Sequence, residues 1–64
     1  MKYAIMEIDG DYYPARLENG KYKLFKYGPF NIFTVKFEFY FDAREFIEGI
    51  HDSYKKWVIE EIKL

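Results

Sequence analysis

The stretch Ile8-Asp9-Gly10-Asp11-Tyr12-Tyr13-Pro14-Ala15-Arg16-Leu17-Glu18-Asn19-Gly20-Lys21 decides the fold of this chain. Asp-Gly and Asn-Gly are the dipeptides that two-residue hairpin loops favour, because both loop positions take positive φ. They divide the first part of the chain into strands at about 2–8, 11–18 and 21–27. They also fix the registers. A loop at Asp9-Gly10 sets Ile8 opposite Asp11, Met6 opposite Tyr13 and Ala4 opposite Ala15. A loop at Asn19-Gly20 sets Glu18 opposite Lys21, Leu17 opposite Tyr22 and Ala15 opposite Leu24. Opposed residues share a face. One face therefore collects Ala4, Met6, Ile8, Tyr13, Ala15, Leu17, Tyr22 and Leu24. The other collects Tyr3, Ile5, Glu7, Tyr12, Pro14, Arg16, Lys21, Lys23, Phe25 and Tyr27, too aromatic for plain solvent and too charged for a core. Pro14 has no N–H to give to a ladder, which points to a bulge or a non-bonded position.

Beyond this stretch, Gly28-Pro29 marks a wider turn. From Ile32 to Phe41 the residues Phe33, Val35, Phe37, Phe39 and Phe41 alternate with Ile32, Thr34, Lys36, Glu38 and Tyr40. That period predicts a fourth strand over 32–41 whose Phe row joins the Ala4–Leu24 face. Asp42 can cap a helix, Glu45 stands three residues on as in a capping box, and Phe41 can staple onto Phe46. Phe46, Ile47, Ile50, Tyr54, Trp57, Val58 and Ile62 keep helical spacing, which predicts a helix over about 43–62 lying on the Phe face. Gly49, Asp52 and Ser53 are poor helix formers. They support a rival reading in which the helix ends near His51 and Trp57 to Leu64 forms a fifth strand. The expected fold is α+β: a four-stranded antiparallel meander with a C-terminal helix packed on one face, in a single domain over 1–64.

Composition bounds the function. The chain has 64 residues, with seven Tyr, seven Phe and one Trp. So short a chain buries only about 60% of its unfolded surface, and small scaffolds usually rely on disulfides, a metal or a partner subunit. There is no Cys and one His, which excludes disulfides and argues against a structural zinc site. A homodimer, or an unusually aromatic core, is the expected stabiliser. Net charge is -1, unlike a dedicated duplex-DNA binder. The charge is nonetheless segregated: residues 12–36 hold five bases and one acid, residues 37–54 five acids and one base. No apolar run has the length of a membrane span, and Met1 leads directly into strand-like sequence. A cytoplasmic protein with no signal peptide is expected.

Little in the chain suggests catalysis. His51 is the only imidazole, and no nucleophile converges on it as a hydrolytic triad requires; it reads as a surface histidine. Asp9 and Asp11 flank Gly10, but turn chemistry accounts for both, and no metal or cofactor is expected. Glu45, Glu48 and Asp52 share a helix face and read as a solvated acidic stripe. The strongest candidate site is Tyr12, Arg16, Lys23, Phe25 and Tyr27, a basic and aromatic patch of the kind that anchors a protein partner. The same mixture suits single-stranded nucleic acid. Tyr54, Trp57 and Val58 form a candidate second or dimer interface.

Residues 9–28, Asp-Gly-Asp-Tyr-Tyr-Pro-Ala-Arg-Leu-Glu-Asn-Gly-Lys-Tyr-Lys-Leu-Phe-Lys-Tyr-Gly, resemble the opening strands of Tudor-type SH3-like barrels, which read partners. The long Phe-rich segment and the helix after Gly28 depart from that pattern, so no methyl-lysine cage is carried onto these tyrosines. The chain as a whole resembles small proteins of phages and other mobile elements: short, Cys-free, aromatic-rich, with the ending Phe-Asp-Ala-Arg-Glu-Phe-Ile-Glu-Gly-Ile…Trp-Val-Ile-Glu-Glu-Ile. Many of these inhibit host factors or defence systems by stoichiometric binding. The resemblance implies a non-enzymatic inhibitor that occludes a host protein, with a nucleic-acid-binding or Tudor-like reader as the alternative.

Overall fold

The computed structural model describes residues 2–50 and 58–64. Both loops form as their chemistry dictates. Asp9 and Gly10 take φ of 51° and 84°, Asn19 and Gly20 of 51° and 78°, the doubly positive pattern of a type I′ turn. They join β1 (Lys2–Ile8), β2 (Asp11–Glu18) and β3 (Lys21–Leu24) into an antiparallel meander. The registers are the ones the loops impose: Met6 faces Tyr13, Ala4 faces Ala15, and Ala15 faces Leu24.

Pro14 explains where that meander stops. One step beyond the Ala15–Leu24 pair, Phe25 would oppose Pro14, which has no N–H to offer. The Phe25 carbonyl instead accepts from the Val35 N–H at 2.9 Å. The chain leaves the sheet there. It forms a separate two-stranded arm, β4 (Lys26–Tyr27) and β5 (Phe33–Thr34), closed by a 3-10 turn at Pro29–Asn31. It then returns to the vacant end of β2, where Tyr12 and Phe37 exchange backbone bonds of 2.8 and 2.9 Å. The expected strands over 21–27 and 32–41 are thus corrected. The first is divided between two sheets, and only Phe33–Thr34 and the Phe37 bridge of the second are paired.

The helix α1 spans Tyr40–Ile50. It starts before the expected 43 because Tyr40, Ala43, Phe46 and Ile47 lie on one helical stripe, and burying that stripe outweighs the period-2 signal. The Phe39 carbonyl accepts from the N–H groups of Asp42 and Ala43. Asp42 therefore sits in the first turn, where its charge suits the helix dipole, and is not the cap. Phe41 is 65% exposed, and among the described residues it makes no ring contact with Phe46. The helix is followed, after residues 51–57, by β6 (Val58–Lys63), which pairs with β1 in parallel, Lys2 beside Val58 and Glu7 beside Lys63. The sheet order is β3-β2-β1-β6, a mixed sheet. This replaces both the purely antiparallel meander and the helix continued to 62. β-branched Val58, Ile59 and Ile62 favour a strand, and β1 has a backbone edge to satisfy.

The helix packs on the face opposite the expected one. Tyr3 and Ile5 of β1 form the core with Ala43 and Ile47 of α1, and Tyr12, Phe25, Phe37, Tyr40, Phe46 and Ile59 pack around them. Pro14 is fully buried too. Phe46 presents its edge to Phe25 at 5.3 Å and lies 5.8 Å from Phe37; Tyr3 stacks on Phe25 at 6.4 Å. Burying a side chain such as Ile5 or Ile47 contributes about 1.5–3 kcal/mol. With so few fully buried residues, this aromatic ring of contacts supplies much of the stability.

On the other face Met6, Ile8, Tyr13, Leu17, Tyr22 and Leu24 are all only half-buried. A polar clamp crosses it. The Tyr22 hydroxyl donates to the Glu60 carboxylate, and the Lys2 ammonium pairs with the same group at 2.6 Å. Tyr22 and Glu60 stand on opposite edges of the sheet. Glu60 shares its row with Ala4 and Ala15, while Tyr22 lies in the neighbouring row opposite Leu17, so the bond crosses the sheet diagonally.

Candidate functional site

The arm gathers four of the exposed large apolar side chains among the described residues in one short segment. Tyr27 and Phe33 are cross-strand neighbours, with rings 5.4 Å apart and tilted by 30°. They are 55% and 48% exposed. Ile32 is 66% exposed, and Phe30, in the turn, is 95% exposed. The turn depends on Gly28, whose φ of 82° suits glycine and where a Cβ would come within 2.5 Å of the Phe33 ring. Phe30 and Asn31 follow in the left-handed region, at φ 57° and 53°. A bulky residue is rare there. Lys26 braces the base of the arm, its ammonium donating to the Thr34 hydroxyl at 2.7 Å.

A surface hollow of about 290 Å³ lies where the arm meets the sheet, lined by Arg16, Leu24, Phe25, Lys26 and Asn31. Its lining is more polar than apolar, with the cations Arg16 and Lys26 beside the Phe25 ring. Arg16 lies over the Phe25 ring at 5.7 Å and pairs with Glu18 at 2.7 Å. Lys23, exposed, is its cross-strand neighbour on β3.

The five residues of the sequence-predicted patch therefore part company. Arg16 and Lys23 stand side by side at the surface, and Tyr27 lies on the exposed arm. Phe25 and Tyr12 pack against the core. The Tyr12 ring meets Tyr40 edge-on at 6.0 Å. A hydrogen bond to Glu7, and then burial, push its phenol above the ordinary tyrosine range. Substituting Phe25 thus tests the fold as much as it tests binding. Of the second set, Val58 opens β6 and is 59% exposed, while Tyr54 and Trp57 lie outside the described residues, as do His51 and Asp52. Glu45 and Glu48 are exposed on α1, and Glu48 pairs with Arg44 at 3.8 Å. Asp9 sits in its turn, and Asp11 pairs with Lys36 at 3.6 Å.

Phe30, Ile32 and Phe33 were missed by the sequence reading. Their signal was present: a turn opened by Gly28-Pro29 continues with a large apolar residue where turns usually carry small polar ones.

No group of three or more His, Asp or Glu among the described residues is placed to hold a metal ion. No helix among them is long and apolar enough to cross a membrane. Comparison of the chain with protein families, with curated proteins and with solved structures gave no match.

Proposed function

We propose that this chain is a small non-enzymatic protein-binding module that docks through the β4–β5 arm. The observation that carries this reading is Phe30: a phenylalanine 95% exposed, at the turn of an arm with three more large apolar side chains, on a backbone conformation that disfavours it. Exposed apolar patches of this kind mark interaction surfaces. Strain of about 1–3 kcal/mol at a single residue persists where it serves a function. Tyr27, Phe30, Ile32 and Phe33 act as anchors, and Arg16, Lys23 and Lys26 orient the partner. The likeness to phage-encoded inhibitors extends the proposal to stoichiometric occlusion of a host protein in the cytoplasm.

Single-stranded nucleic acid is the second reading. The adjacent exposed cations Arg16 and Lys23 favour it, but the pairing of Arg16 with Glu18 weakens it. The test is capture from cell lysate by the immobilised protein, with and without nuclease and raised salt, beside Phe30→Ser. The docking reading expects a discrete protein that survives both treatments and is lost with Phe30→Ser. Capture abolished by nuclease supports the nucleic-acid reading, and capture that Phe30→Ser leaves intact overturns the role of the arm.

A further inference from the structure

We propose that the arm of one copy docks on the start of α1 in a second copy, reciprocally, so that the protein forms a two-fold dimer. This rests on the reading of the arm as a docking element and names one occupant for it. The chain carries two surfaces of opposite charge and matching apolar character. The first is the arm, with Tyr27, Phe30, Ile32 and Phe33 exposed and the cations Arg16 and Lys26 in the hollow at its base. The second is Glu38-Phe39-Tyr40-Phe41-Asp42. There Phe39 and Phe41 are 64% and 65% exposed, and Glu38, Asp42 and Glu45 are exposed around them. The bases that flank that segment in sequence, Lys36 and Arg44, are engaged with Asp11 and Glu48.

The fit is chemical on both counts. The exposed rings of the arm and of Phe39 and Phe41 offer each other apolar surface. Lys26 is held by Thr34, and an ammonium has three donors, so two stay available for a carboxylate beside the ring. Segregated charge on one chain favours an isologous pairing, in which each copy offers its cationic hollow to the acidic aromatic segment of the other. The two contacts are equivalent by symmetry.

Charge exchange tests this directly. Sedimentation velocity over a concentration series is run on the natural chain, on Lys26→Glu, on Glu38→Lys/Glu45→Lys, and on an equimolar mixture of the two variants, with a melting curve on each. The natural chain is expected to dimerise. Each variant alone is expected to dimerise roughly tenfold more weakly or worse, and the mixture to regain a dimer because both contacts then pair opposite charges. Phe41→Ser, at an exposed position, is a second variant and is expected to weaken the dimer without lowering the melting temperature at dilutions where both chains are monomeric. A natural chain that stays monomeric overturns the proposal, as does a dimer that the reversals leave unchanged or a mixture that fails to recover. If Phe30→Ser abolishes capture of another protein while the natural chain is monomeric, only the self-association is wrong. If Phe30→Ser alters neither, the docking reading of the arm fails with it.

Discussion

At Phe30 the backbone takes φ 57° and ψ 18°, a conformation that costs an L side chain about 1–2 kcal/mol. The ring recovers little of this by packing, since it is 95% exposed. Glycine at this position relieves the strain and removes the ring together. Phe30→Gly is therefore expected to leave thermal stability equal or raise it by about 1 kcal/mol, while capture of the partner falls. Parallel melting and binding assays check both halves; a loss of stability with unchanged capture would mean that the ring serves the fold. Phe25 is the opposite case. It contacts Tyr3, Phe46 and Arg16 and is half-buried. Phe25→Ala is expected to cost about 2–3 kcal/mol, less than a fully buried Phe, read as a lowered urea midpoint. A midpoint within error of the natural chain would show that this ring belongs to a binding surface and not to the core.

At the scale of elements, hairpins were legible in the sequence and long-range pairing was not. Asp9-Gly10 and Asn19-Gly20 specify their turns locally, so β1 to β3 and their registers could be written down beforehand. The alternation from Phe33 to Phe41 is just as regular. It failed because a strand also needs a free edge of sufficient length, and between the Asp9-Gly10 turn and Pro14 the edge of β2 offers Phe37 one partner, Tyr12. β6 was visible only as an alternative, since Val58, Ile59 and Ile62 fit a helical stripe as well as a strand, and the free edge of β1 decides between them. Glu60 secures β6 in place. The hydrogen bonds from Lys2 and then Tyr22 hold its carboxyl below the ordinary carboxylate range. The bond to Glu60 in turn raises Lys2 and Tyr22. The sign follows from linkage. Because Glu60 is lowered on folding, its contribution is present above about pH 4.3 and is lost as pH falls through the lowered folded value. Because Lys2 and Tyr22 are raised, theirs is present below about pH 10 and is lost as pH rises through their raised values. Melting temperature against pH should decline at both ends, and Glu60→Gln should flatten part of each decline. Unchanged pH limbs in Glu60→Gln would sink the clamp.

At the scale of the whole molecule, the sequence places residues on faces but does not say which face is covered. Both faces of the meander are aromatic, and the Phe row that favours the Ala4–Leu24 face is not a continuous strand. The covered face holds Tyr3, Ile5 and Pro14 together with the charged rim of Arg16 and Lys23, and long cationic side chains can reach solvent from the edge of a core. Of the candidate site, the cations and Tyr27 were found by composition and spacing; the apolar anchors sit in an irregular turn, where no period marks them. The central claim is that a partner sits on the arm. Hydrogen exchange on the captured complex locates it most directly, comparing amide protection in the free and bound protein. The account predicts new protection at residues 26–34 and at Arg16, with the amides of β1 and of the rest of β2 unchanged. Protection confined to that sheet face or to β6, with residues 26–34 exchanging as in the free chain, would contradict it.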